Sequence, residues 1–217
     1  MKHIPLLFSL SLLLLGCSNN PPEKMSENTT AHVDDEGRAN LVQTNAEFAT
    51  EEALDLNDKA MELVRNSEYD EARKYFLKAL KIESNNPTIL SNLGLIEKVT
   101  YHTEEAIAWF NKAIAADSSC YRAYVNYSLL MFEEGKYNKS IELAEYVIKN
   151  CDDADVTGSA YFNAALSLSE NDDCVKARDY FNKFVTAFND ADFIQQQKIQ
   201  LEDKLNGCEY RQKNNGQ

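Results

Sequence analysis

Cysteines, histidines and paired carboxylates are the residues of this chain whose chemistry could go beyond packing. Cys120, Cys151, Cys174 and Cys208 form an even set at wide spacings. No Cys-x-x-Cys pair occurs among them, so disulfides suit this spacing better than a metal centre. His3, His32 and His102 are scattered, and none can be placed beside a nucleophile. Gly-x-Ser-x-Gly, His-Glu-x-x-His and a glycine-rich phosphate loop are all absent, with seven glycines spread along the whole chain. The acid pairs Glu51-Glu52, Glu104-Glu105 and Asp152-Asp153 fall at helix starts or in loops, where capping and solvation account for them. These residues predict a protein that is not an enzyme and carries no cofactor and no metal.

The elements that position these residues announce themselves by a stride. Ala72 and Ala106 are 34 residues apart, and each is followed four places later by a phenylalanine, Phe76 and Phe110. Ser140 falls another 34 residues on, and Ala177 with Phe181 follows after 37, as if three residues had been inserted. A stride of this size is the period of a helix-turn-helix repeat. Four units span roughly Ala53 to Asn189. Small residues at the crossing points let paired helices approach, and the aromatics beside them fill the space to the next hairpin.

The first helix of each later unit carries a second pattern: Leu90-Ser91-Asn92-Leu93-Gly94, Tyr124-Val125-Asn126-Tyr127-Ser128 and Tyr161-Phe162-Asn163-Ala164-Ala165. On these residues the chain resembles the tetratricopeptide repeat family. Leu90, Leu93, Gly94, Ala106, Phe110 and Ala113 match in the second unit, and Leu56, Ala60, Tyr69, Ala72, Phe76 and Ala79 in the first. The third unit supplies Tyr124, Tyr127, Gly135 and Tyr137 but departs at Ser140, Ala144 and Val147. The fourth has Tyr161, Ala165, Ala177 and Phe181. The resemblance implies an all-α, right-handed solenoid of about four helical hairpins, over 50–206 with a capping helix. Capping chemistry supports it: Asp70, Thr103, Asn138 and Asp173 are candidate N-caps of the second helices, and Asn86-Pro87 opens the first helix of the second unit. A last helix, about Ala191 to Leu205, places Ile194, Leu201 and Leu205 on one side as a cap, with a stop at Asn206-Gly207 and a polar tail over 207–217.

The repeat register also orders the cysteines. Cys120 and Cys151 bracket the third hairpin at one end, while Cys174 lies in the turn at the opposite end of the fourth. Helices of about 14 residues rise roughly 20 Å, beyond the roughly 7 Å that a disulfide tolerates between Cα atoms. The expected pairs are therefore Cys120 with Cys151 and Cys174 with Cys208.

The amino terminus reads as export machinery. Met1-Lys2-His3 is a short basic region, and Leu6 to Leu15 is an apolar run too short for a bilayer span, which needs roughly 20 residues. Residues 1–16 thus read as a signal peptide. Leu14-Leu15-Gly16-Cys17 resembles the lipobox of bacterial lipoproteins, which implies cleavage before Cys17 and its acylation. Several acyl chains at one point anchor a protein that one chain alone would not hold. Ser18 after the acylated residue implies the outer membrane, facing the periplasm or the exterior. Residues 17–49 form the expected disordered tether, polar and marked by Pro21-Pro22.

The net charge is −13, and removal of residues 1–16 takes away only Lys2 among the charged side chains, giving −14. That field excludes nucleic acid as a partner and leaves membrane contact to the acyl chains. The resemblance places ligands on the concave face of the first helices, which carries over to Asn92, Arg122, Val125, Asn126, Leu129, Phe132, Phe162, Asn163 and Leu166. An apolar floor with amide donors suits an extended peptide or a partner helix. The reading is a noncatalytic, lipid-anchored envelope adaptor that binds another envelope protein or peptide. Its alternatives are a self-associating structural component and, with less support, a lipoprotein for a small molecule or glycan.

Overall fold

The structure is a computed structural model that describes residues 48–188 and 194–215. The signal peptide, Cys17 and the polar tether up to residue 47 lie outside the described residues. Nine helices are described: α1 (Glu51–Arg65), α2 (Tyr69–Ile82), α3 (Pro87–Val99), α4 (Thr103–Ala116), α5 (Tyr121–Glu133), α6 (Tyr137–Asn150), α7 (Ala154–Glu170), α8 (Cys174–Ala187) and α9 (Gln195–Asn215). Among the described residues there is no strand, and no helix is long and apolar enough to cross a membrane.

The helices pair as hairpins, α1 with α2 through α7 with α8, in an all-α solenoid of four hairpins. Odd-numbered helices also touch along the stack, α3 with α5 and α5 with α7, and α9 closes the series against α7 and α8. Burial follows this layering. Thr88 to Glu97 of α3 are buried without interruption, whereas α4 buries only Ala106, Phe110 and Ala113. Odd helices are thus the inner layer and even helices the outer one.

Each inner helix ends in the same way. Ser67, Tyr101, Gly135 and Asp172 adopt positive φ (62°, 64°, 70° and 58°), and the next residue returns its N–H to the carbonyl five positions back in the helix. Those bonds run from Glu68 to Leu63, His102 to Glu97, Lys136 to Met131 and Asp173 to Leu168, at 2.8 to 3.0 Å. This is the Schellman geometry, which satisfies carbonyls that a helix end would otherwise orphan. It also starts the outer helix two residues after the left-handed residue, which corrects three expected caps. Asp70, Thr103 and Asn138 lie inside the first turns of α2, α4 and α6, whose N-caps make no side-chain hydrogen bond. Asp173 does cap α8 by accepting from Lys176 N–H, and Asn86 caps α3 by accepting from Thr88 and Ile89.

The three-residue insertion is absorbed by the last inner helix. α7 has 17 residues against 13 in α5, and the loop before it is one residue shorter than the loop before α5. Ser140, which stands where the stride calls for Ala, is buried and accepts at 2.7 Å from the hydroxyl of Ser167 on α7. The departure from pattern is therefore a paired polar contact across the stack.

The last helix differs from expectation. α9 runs through Asn206-Gly207 to Asn215, so no stop or separate tail begins at 207. Its far half is latched instead. Cys208 is bonded to Cys174 (Cα–Cα 5.7 Å), Arg178 reaches Glu202 and Glu209 at 2.6 and 2.9 Å, and Arg211 donates to Asp172 and the Ser169 carbonyl. The second expected bridge, Cys120 to Cys151, is not formed: Cys151 is a free thiol, while Cys120 is not free. Both cysteines stand at one end of the hairpin, but they face opposite neighbours. Cys120 is buried among Leu90, Ala106 and Phe110 of the preceding hairpin, and Cys151 packs with Val125, Val147 and Val156 toward the following one.

Gly94 shows what holds adjacent helices so close. A Cβ there would lie 2.6 Å from two carbons of the Phe110 ring, which is itself fully buried. Gly94→Val is expected to destabilise the chain by about 1–3 kcal/mol through overpacking, read as a lower urea midpoint; an unchanged midpoint would show that the α3–α4 crossing can open.

Candidate functional site

The nine residues carried onto the concave face come together on α3, α5 and α7, but none is more than 9% exposed. The expected open groove is thus not present at these positions, and the reason differs along the stack. Leu129, Phe132, Phe162 and Leu166 share a cluster with Ile194, Leu201 and Leu205, so the cap helix and its lead-in residue fill the fourth-hairpin end of the face. Val125 is packed with Ala144, Val147 and Val156 between the third and fourth hairpins.

The amides are largely spoken for. Asn163 donates to the Val125 carbonyl at 2.9 Å and to Ser128 Oγ at 2.7 Å, linking α7 to α5. Asn92 donates at 3.0 Å to Oδ1 of Asn57, linking α3 to α1. Asn126 is buried on α5 between these two ties. Asn57 was not singled out by the sequence as a site residue, although its separation of 35 from Asn92 is close to one repeat.

Arg122 behaves differently. It sits in the first turn of α5 at 8% exposure, and its Nη1 is buried without a hydrogen-bond partner. On α3, Ser91 Oγ is also buried and unpaired. The other such atom among the described residues is Arg73 Nε in the outer layer, whose guanidinium is otherwise engaged by Glu97 and Thr100. Buried polar groups left unmatched cost about 1–3 kcal/mol each, more when charged. Around Arg122 the titratable groups are shifted by burial. Desolvation raises the Asp155 carboxyl, Asp153 raises it further, and Arg122 opposes both. Burial likewise pushes the Cys151 thiol up, so this free sulfur is held in its unreactive form. Burial and a hydrogen bond with Tyr146 hold the neighbouring Tyr124 hydroxyl up at about 12. His102 lies far from this face, where its Nδ1 is 2.9 Å from Glu97 Oε2 in the α3–α4 turn. Among the described residues no group of His, Cys, Asp and Glu is arranged to hold a metal ion.

The profile of the tetratricopeptide repeat matches residues 57–119, the first two hairpins, and the geometry of the other two repeats theirs. Residues 57–119 belong to the tetratricopeptide repeat family. Solved structures of like fold include PilF of Pseudomonas aeruginosa, 17% identical with a TM-score of 0.64, over 71% of this chain and 69% of that one. A tetratricopeptide repeat protein from Parabacteroides merdae is 16% identical with a TM-score of 0.58, over 75% of this chain and 62% of that one. YrrB, described as having an unusual peptide-binding site, is 18% identical with a TM-score of 0.52, over 76% of this chain and 88% of that one. At these identities the likeness is one of fold. No curated protein sequence matches the chain.

A repeat stack of this kind is a scaffold for protein–protein interaction, and the geometry separates its structural amides from its unmet polar groups. Asn163→Ala would remove the donor that ties α7 to Ser128 Oγ and to the Val125 carbonyl, which keeps only its bond from Ser128 Oγ within α5. Its expected cost is about 1–3 kcal/mol, seen as a lowered denaturation midpoint; full stability in the variant would return Asn163 to the set of candidate binding residues.

Proposed function

We propose that this repeat protein is a noncatalytic, lipid-anchored adaptor of the bacterial cell envelope that recruits a partner polypeptide along the inner layer of its first three hairpins. The observation that carries this reading is the pair of buried, unmet polar atoms on that layer, Arg122 Nη1 and Ser91 Oγ. Of the two residues only Arg122 keeps any surface, 8%, through which a partner's acceptor could approach, whereas Ser91 is fully enclosed. The fourth hairpin is excluded from the site because α9 already covers Phe162 and Leu166. Three features support the adaptor class. YrrB, a protein of like fold, has an unusual peptide-binding site. The amino-terminal Leu14-Leu15-Gly16-Cys17 suits acylation of Cys17. The net charge of −13 opposes both nucleic acid and anionic lipid surfaces. Outer-membrane attachment, facing the periplasm or the exterior, is part of the same proposal.

Crosslinking and capture from cells carrying the native amino terminus test the site. Arg122→Gln should weaken capture at least about tenfold, or ~1.4 kcal/mol, with a thermal midpoint unchanged or raised because a buried unmet charge has gone. Unchanged capture together with a lower midpoint would make Arg122 structural and remove the site. The anchor is tested separately. Cys17→Ser should abolish incorporation of radiolabelled palmitate and move the protein out of the membrane fraction; continued labelling would place the lipid elsewhere or dismiss it.

A further inference from the structure

Three of the four hairpins seat a cation of the chain's own on a partly exposed ring. Lys78 stands 4.6 Å from the Tyr75 ring centre, Lys112 4.0 Å from that of Trp109, and Lys183 5.3 Å from that of Tyr180. An ammonium or guanidinium group within about 6 Å of a ring centre is held by the negative face of the ring. The third hairpin carries a cluster of tyrosines with no such cation. Tyr146 of α6 stacks on Tyr124 of α5 at 4.5 Å and lies tilted against Tyr121 at 6.4 Å. Among the described residues no lysine or arginine stands over any of the three rings. The cluster is nonetheless open to solvent: Tyr146 is 38% exposed, and Tyr121 and Tyr124 are half-buried. Arg122, next to Tyr121 in sequence, is turned into the inner layer at 8% exposure.

Acids frame this cluster. Burial is the main cause that raises the Tyr121 and Tyr124 hydroxyls, and among the further causes Asp117 acts on both and Asp152 on Tyr121. Those carboxylates therefore stand within electrostatic reach of the rings, from the loops before α5 and after α6. Asp152 is exposed, and Asp117 is held in place by the N–H and hydroxyl of Ser119 at 2.8 and 2.6 Å.

We infer that Tyr121, Tyr124 and Tyr146 form a docking surface that seats an arginine or lysine side chain of a basic partner polypeptide, with Asp117 and Asp152 as its counter-charges. Charge complementarity selects this occupant. A chain of net charge −13 draws basic segments toward it and repels acidic ones. The rings add what exposed carboxylates lack, a flat apolar face on which a guanidinium stacks. A neutral glycan would use the rings alone and gain nothing from the net charge. The surface lies on the loop edge of the third hairpin, apart from the inner layer, and stands whether or not that layer recruits a partner.

Fluorescence anisotropy of a rhodamine-labelled hexa-arginine amide, titrated with the full chain, tests the surface. Tyr121→Leu with Tyr146→Leu leaves the net charge unchanged and should weaken binding at least about tenfold, whereas Tyr121→Phe with Tyr146→Phe keeps the ring faces and should hold it within about twofold. Asp152→Lys should weaken binding at least about fivefold more than Glu52→Lys, an equal change of charge on the exposed start of α1. Urea midpoints identify any variant that fails to fold; should the leucine pair do so, the phenylalanine pair and Asp152→Lys decide. Equal affinity in the unaltered chain and a folded leucine pair would show that net charge alone holds the peptide, and would overturn the proposal. Absence of binding, equal loss in Asp152→Lys and Glu52→Lys, or displacement of the peptide by neutral chitotriose would overturn it as well.

Discussion

Two helix backbones lie in contact only where one of them offers little or no side chain, and the stack depends on this exchange at every step. Gly94 receives the Phe110 ring, and Gly158 receives Phe188 and Ala187 at distances that leave no room for a Cβ. Ala72, Ala106 and Ala177 serve the same end from the outer helices, all with no exposed surface. Because α3 and α5 then each touch their hairpin partner, the preceding outer helix and the next inner helix, they are buried on most sides. The small residues on the crossings thus set the burial of the inner layer, and that burial makes each polar side chain there costly unless it is matched.

The layer meets this demand mostly with short neutral side chains. Asn57 with Asn92, Asn163 with Ser128 and Val125, and Ser167 with Ser140 each bridge adjacent units at 2.7 to 3.0 Å. Such pairs carry no desolvated charge, and they fix the register of one hairpin on the next. Charge is used where water remains near. Arg73, Glu97 and His102 tie α2 to the α3–α4 turn, and Arg178 ties α8 to two carboxylates of α9. The i,i+3 pairs Lys59–Glu62, Lys74–Glu71 and Lys139–Glu142 are about half exposed, and pairs of that kind contribute little.

Much of this was legible in the residues. The 34-residue stride of Ala and Phe predicts the hairpins, and Asn86-Pro87 marks the start of α3 as found. The stride also places Cys174 and Cys208 at one end, where they are bonded. The failures have physical causes. Polar residues near a helix start read as caps, yet at Asp70, Thr103 and Asn138 the Schellman turn had already dictated where the helix begins. Asn206-Gly207 reads as a stop because local propensity is weak there, and tertiary latches from Arg178 and Cys174 carry α9 through it. Cys120 and Cys151 share an end of the hairpin, but stride says nothing of which neighbour a side chain faces. The nine positions carried over as a groove fall on α3, α5 and α7, while the burial of Leu129, Phe132, Phe162 and Leu166 by the cap depends on contacts far apart in sequence.

Comparison of the arginines separates architecture from recognition. Arg73 and Arg178 each hold carboxylates across helices, and the packing around them presupposes their charge. Arg122 is more buried than either, yet its Nη1 contacts no acceptor, and the nearest acids act on it without a hydrogen bond. A buried charge of this kind is often replaced by an apolar residue of similar volume with no loss of stability, or a gain. Stability alone therefore gives no reason for a guanidinium at the first turn of α5. Any group that completed Nη1 would have to be an acceptor, because arginine has donors alone. A carboxylate would meet such a donor most strongly, while a carbonyl or hydroxyl oxygen would meet it less so, and an apolar group would not meet it at all.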